Sequence, residues 1–223
     1  MSYPGVLKDL LINGTSYRYP ALPELSGLGF GSIDRLPFSI RILVENLLRR
    51  HDGVIVSDQD LAAIADWRKT YRQPVEIAYH PARVLMQDFT GVPAVVDLAA
   101  MRDAVRALGG DPRRVNPQVP VELIVDHSVQ IGFSGTVGSL ANNVAREYER
   151  NGERYALLKW AQKNFANFSV VPPNSGICHQ VNLEHLGRVV IAEQRENDIL
   201  LYPDTAVGLD SHGAQHVAAG DDR

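Results

Sequence analysis

A single cysteine, Cys178, stands among 223 residues, so no intramolecular disulfide framework is available and a reducing compartment is the expected setting. No apolar run approaches the roughly 18 residues that a membrane-spanning helix needs, and the first residues show no basic-then-apolar leader pattern. Net positive charge is missing too: the formal balance is -4, which argues against a generally basic nucleic-acid or membrane binder. Internal repeats and low-complexity tracts are absent. The expectation is a soluble, cytoplasmic globular protein. With 45% hydrophobic and 22% charged residues it has enough chain for one large domain or two small ones.

What is present divides by pattern. From Met1 to about Phe30 the chain is rich in Gly, Pro, Tyr and Ser, which predicts an extended arm with turns. After Pro37, Ile40, Leu43, Val44, Leu47 and Leu48 recur at spacings of three and four. They predict an amphipathic helix that stops before Gly53, with Arg41, Glu45, Arg49 and Arg50 on a solvated face. Ser57 is placed as the N-cap of a second helix reaching Tyr71, with Asp58 and Asp60 in its first turn.

Strands are predicted at 75–79 and 83–88, then a turn at Gly91 and Pro93, a helix over 94–108 and a proline-bearing loop up to Pro120. The apolar run Val121–Val125 predicts a strand buried on both faces. A charged helical stretch over 141–166 follows, with Gly152 as its expected break. Glu147 and Arg154 are read as exposed, and Tyr148, Leu157, Leu158, Trp160 and Phe165 as its apolar stripe. Further strands are read at 168–172, 189–192 and 199–202, and a loose tail after His212. Strand, helix, strand in that order is the unit of a parallel sheet. The fold class is therefore α/β, a mainly parallel sheet flanked by helices. The expected division is an N-terminal arm with helices at 1–73, an α/β domain at 74–212 and an atypical tail at 213–223.

The chemistry concentrates where strands end. Asp126 and His127 follow the central strand, His179 lies in a glycine-bearing segment after the next, and Asp210, Ser211 and His212 close a third. In open α/β sheets, ligands bind beyond the carboxyl ends of the strands. An imidazole oriented by a carboxylate can give or take a proton at neutral pH. A zinc site of His127, His179, His212 and Asp210 is conceivable, but the spacing matches no compact zinc motif, so no metal ligand is assigned.

Longer stretches carry a resemblance. LPFSIRILVE at 36–45, VLMQDFTGVPAVVD at 84–97, VDHSVQ at 125–130, GICHQVNLE at 176–184, then Tyr202-Pro203-Asp204 through Asp210-Ser211-His212, closely resemble the aconitase family in its bacterial aconitase A and iron-regulatory-protein branch. The match runs in family order from about Leu7 to His212 and points to the N-terminal part of that fold, incomplete here.

The resemblance implies a hydro-lyase of the tricarboxylic acid cycle. Such an enzyme interconverts citrate and isocitrate through cis-aconitate, with a 4Fe-4S cluster as Lewis acid. It also implies roles for individual residues. Gln87 and Ser211 would contact substrate; His127, oriented by Asp126, would handle the departing hydroxyl; and His179 with Asp210, and His212, would complete this side of the site.

Family members are several times longer, and their cluster cysteines lie beyond the Asp-Ser-His segment. Cys178 matches a position beside the active-site histidine, so this chain alone is not expected to hold the cluster or to turn over substrate. A truncated or frameshifted product, or one subunit of a split hydratase completed by a separate chain, would read this way. The rival is an RNA-binding or other non-catalytic remnant, since the iron-regulatory branch binds RNA on losing its cluster. The acidic balance and the missing distal domain stand against it, so RNA is not an expected partner, nor is a membrane.

Overall fold

The computed structural model describes residues 3–68, 73–125, 130–173, 175 and 186–209. The chain divides into two compact units, Met1–Pro81 with Arg188–Asp204, and Ala82–Gly187 with Thr205–Arg223.

The first unit begins with a hairpin, β1 (Leu7–Ile12) and β2 (Thr15–Pro20), joined through Asn13 and Gly14. Both turn residues have positive φ, 49° and 81°, the backbone that an Asn-Gly hairpin turn supplies at little cost. The short helix α1 (Glu24–Gly27) precedes α2 (Phe38–Arg50), which starts directly after Pro37 as the spacing predicts. From Val44 to Arg49 it is buried on all sides, Glu45, Asn46 and Arg49 included. The solvated face predicted for Glu45 and Arg49 is therefore corrected: they form a buried ion pair of 2.9 Å, with the Arg49 guanidinium 4.0 Å from the centre of the Tyr202 ring.

Helix α3 (Asp58–Ala65) has the predicted Ser57 cap but ends short of Tyr71. Its last turn closes as the Asp66 and Trp67 amides donate to Ala62 and Ile64; residues 69–72 lie outside the described residues. The strand predicted at 75–79 does not form. Ile77 and Ala78 pack against the core of α2 and α3, and just beyond them Asn46 clamps the chain. Its Nδ2 donates to the His80 carbonyl (2.6 Å) and its Oδ1 accepts from the His80 amide (3.0 Å). Here the backbone pairs with a side chain, where a ladder would have needed another strand.

The second unit holds a sheet of four parallel strands, β3 (Arg83–Gln87), β4 (Val121–Ile124), β5 (Phe168–Val171) and, from the end of the described chain, β8 (Ala206–Gly208). The intervening strands β6 (Val190–Gln194) and β7 (Ile199–Pro203) form where strands are predicted and pair antiparallel, but they belong to the first unit. β7 lies parallel to β2 in a sheet of order β1-β2-β7-β6.

Helix α4 (Asp88–Ala107) links β3 to β4; α5 (Ser139–Arg150) and α6 (Gly152–Asn164) link β4 to β5. The break at Gly152 is as predicted. The predicted turn at Gly91 and Pro93 is instead the start of α4, because the glycine serves packing. A Cβ on Gly91 would stand 2.7 Å from Leu123 Cδ1 and 2.9 Å from Met86 Cβ, so only glycine lets the helix sit this close to the strands. Pro93 deprives only the Phe89 carbonyl of its helical partner, on an exposed turn.

Strand alternation then sorts the sheet into two faces. Val84, Met86, Val121, Leu123, Phe168 and Val170 pack beneath α4 and α6. Arg83, Leu85, Gln87, Glu122, Ile124 and Val171 occupy the other face.

Candidate functional site

The sheet order is β5-β4-β3-β8. The chain steps from β3 through β4 to β5 in one direction, and β8 then joins the opposite side of β3. The order reverses at β3, and in open parallel sheets a ligand crevice lies outside the carboxyl ends at such a reversal. Gln87 is the last residue of β3, at that end.

Parallel register places Gln87, Ile124 and Val171 side by side on one rung. Leu85 and Ile124 are buried, with Val171 and Leu186 packed against them, so a glutamine interrupts an otherwise apolar neighbourhood. Gln87 is only 5% exposed, and among the described residues its Nε2 has no hydrogen-bond partner. The other charged groups on this face are matched: Arg83 Nη1 lies 2.8 Å from Glu122 Oε2. A buried amide left unpaired costs about 1–3 kcal/mol, a penalty that a hydrogen-bonding ligand would remove.

Behind Gln87 lies a buried polar cluster that sequence reasoning missed. Asp88 opens α4 with a carboxylate wholly out of solvent, 3.0 Å from Arg154 Nη1 on α6. The neighbouring Tyr155 hydroxyl donates to Glu147 Oε1, which also accepts from Asn151 Nδ2 (2.8 Å). Burial and the adjacent Glu147 carboxylate push the Tyr155 hydroxyl well above its ordinary range. Glu147, predicted exposed, is 1% exposed, while Tyr148, predicted in the apolar stripe, is 48% exposed. The inward face of α5 is chosen by this cluster rather than by hydrophobicity. The available sequence signal is Glu147, Asn151 and Tyr155 at steps of four, one face over two helical turns.

Of the residues predicted for the site, Gln87 is described and stands at the carboxyl edge of the sheet. Asp126, His127, His179, Asp210, Ser211 and His212 lie outside the described residues. The described strands nevertheless fix where the chain departs: β4 ends at Ile124, β5 at Val171 and β8 at Gly208, all at the edge where β3 ends at Gln87. Each of the three predicted tips follows one of those ends in sequence.

The donor set does not fit a four-iron cluster, which takes several cysteine thiolates, whereas this chain has one cysteine. Among the described residues no group of three His, Cys, Asp or Glu side chains is placed to hold a metal ion, and no helix is long and apolar enough to cross a membrane.

Comparison with known proteins agrees with the motifs. Aconitate hydratase A of Pseudomonas aeruginosa is 52% identical over 206 residues, covering 92% of this chain and 22% of the relative. The Escherichia coli protein of the same name is 55% identical over 197 residues, covering 88% and 22%, and that of Thermus thermophilus 52% over 206 residues, covering 92% and 23%. The chain thus spans less than a quarter of the length of the curated relatives it matches. The profile of the aconitase family (aconitate hydratase) matches residues 59–221, and the chain belongs to that family.

Proposed function

We propose that this chain supplies one wall of a citrate–isocitrate hydro-lyase site, with Gln87 as a substrate-binding residue. The carrying observation is the buried Gln87 Nε2, unpartnered among the described residues, at the reversal point of a parallel sheet in a chain of the aconitase family. An amide N–H there offers a tricarboxylic acid a fixed donor for a carboxylate or hydroxyl oxygen. By the family resemblance, His127 would protonate the departing hydroxyl while Asp126 orients the ring; His179 with Asp210, and His212, would hold further protons, and Ser211 a substrate carboxylate. A positioned general acid supplies about 10²- to 10⁴-fold. Citrate dehydration also requires an electrophile for the hydroxyl, supplied in this family by a 4Fe-4S cluster that one cysteine cannot hold.

The isolated chain is accordingly a tricarboxylate binder without turnover, acting in the cytoplasm. The test is to assay the purified chain for cis-aconitate formation with iron, sulfide and thiol supplied, beside His127→Ala. No turnover by either protein is expected. Turnover that disappears in His127→Ala would overturn the claim of inactivity, and a Gln87 side-chain amide signal indifferent to citrate would overturn the binding claim.

A further inference from the structure

We propose that Arg154 is a positioning residue for Gln87, acting through the Asp88 carboxylate; this rests on the reading of Gln87 as a substrate contact. Gln87 is both the last residue of β3 and the residue capping α4, with φ -88° and ψ 164°, and its side chain makes no capping hydrogen bond. With Nε2 unpartnered among the described residues, the side chain takes its direction mainly from the backbone at 87–88. Among the described residues, two features hold that backbone. One is the seat of Gly91 against Leu123 and Met86, a turn further along α4. The other is the Asp88–Arg154 pair, an ion pair that ties the first residue of α4 to α6.

Arg154 is itself held in place. Its neighbour Tyr155 donates to Glu147 on α5, and Asn151 at the corner between the two helices donates to the same carboxylate oxygen. The α5–α6 corner therefore reaches the site edge through one guanidinium, whose carbon also lies 5.8 Å from the centre of the Phe89 ring. A carboxylate at the first position of a helix is favoured by the helix dipole, but that preference does not choose where the helix end sits; a fixed cation does.

The test uses the full 223-residue chain with uniform nitrogen isotope labelling, comparing wild type, Arg154→Met, Arg154→Lys and the double variant Asp88→Asn/Arg154→Met. The double variant removes the buried charge together with its cation, so it keeps the test available if Arg154→Met does not fold. In Arg154→Met and in the double variant the Gln87 side-chain amide signals should move toward averaged, solvent-like positions, while amide signals of Leu47 and Leu48 stay in place. Citrate binding should weaken by about 10-fold, the value of one hydrogen bond, with Arg154→Lys in between. Unchanged Gln87 signals in the folded variants would overturn the proposal. If wild type ignores citrate while the Gln87 signals still move in the variants, the substrate reading fails and the positioning role stands.

Discussion

The arginine–carboxylate pair inside α2 and the pair between α4 and α6 each bury their carboxylate, yet they hold different things. Glu45 and Arg49 are four residues apart on one helix, so their contact fixes a helix face and reaches past α2 only where the guanidinium covers the Tyr202 ring. Asp88 and Arg154 are 66 residues apart and join the start of one helix to another, beside the residue proposed to meet substrate. The local pair is also the less satisfied. Among the described residues Glu45 Oε2 and both Arg49 Nη atoms lack hydrogen-bond partners, and burial pushes the Glu45 carboxyl up against the opposing pull of Arg49. A buried ion pair is weak evidence for stability, because desolvation offsets most of its attraction. Its position in the architecture decides what it is for.

The largest effect should come from breaking the α2 pair. Arg49→Ala leaves Glu45 buried without its cation and strips the cover from Tyr202, and should cost about 3–5 kcal/mol in urea unfolding. Replacing both partners with leucine and methionine should be close to neutral, since no charge is then stranded. The wild-type pair also carries a pH signature. The folded Glu45 pKa is raised from 4.5, so folding favours its protonated form. Its contribution is full below that value and is lost as pH rises through the higher folded pKa. Glu45→Gln should remove this decline, and equal slopes in the two proteins would show that the carboxyl is not shifted upward.

A smaller effect sharpens the other side of the comparison. Gly91→Ala should destabilise by about 1–3 kcal/mol through overpacking against Leu123 and Met86, reduced by up to about 1 kcal/mol from alanine's better helix propensity. Gly152→Ala, at the first position of α6 where an added Cβ meets nothing within 4 Å, is the control and should change stability by less than about 0.5 kcal/mol. Thermal unfolding of the two variants side by side decides it. If both are neutral, α4 is free to lift from the sheet and cannot hold Gln87 in place.

These contrasts also mark what was legible in the sequence. Strands β3, β4 and β5, the Ser57 cap and the break at Gly152 are local patterns that periodicity and residue type reveal, whereas no strand is read at β8. Gln87 could be placed because a strand end is a local feature and the motif around it resembles a family. The Asn13-Gly14 turn was legible too, as the strongest short hairpin signal, but composition alone reads it as part of an extended arm. The rest was hidden for physical reasons. β7 chooses β2 through a contact between residues 182 positions apart, Arg18 and Leu200, and alternation says nothing about partners. Arg154 and Glu147 have the composition of a solvated helix face, yet Glu147 is buried and Arg154 half-buried, each by the partners its helix brings to it. Gly91 and Pro93 read as a turn because the two uses of glycine, a turn and a close approach, leave the same letter.

The smallest predicted effect concerns a feature that sequence and structure share, the cap of α3. Ser57 has the extended backbone of an N-cap, φ -102° and ψ 170°, and its box with Asp60 is complete. The Ser57 amide donates to Asp60 Oδ2 at 2.8 Å, the Ser57 hydroxyl donates to the same oxygen at 2.7 Å, and the Asp60 amide reaches Ser57 Oγ at 3.4 Å. Ser57→Ala removes the hydroxyl contacts and keeps the amide one, and should cost about 1 kcal/mol. The Asp60 carboxyl is held below its ordinary 3.8, first by the Ser57 amide and then by the hydroxyl. Because the folded pKa is depressed, the box stabilises above 3.8 and that contribution is lost as pH falls through the lower folded value. The variant keeps the stronger of the two causes, so its stability should fall with acid less steeply than wild type but more steeply than Asp60→Asn, which has no such carboxyl to protonate. Urea unfolding of the three proteins between about pH 2 and 5 reads the order directly. An acid limb in Ser57→Ala as shallow as in Asp60→Asn would mean that the hydroxyl, not the backbone amide, sets the Asp60 carboxyl and closes the end of the helix.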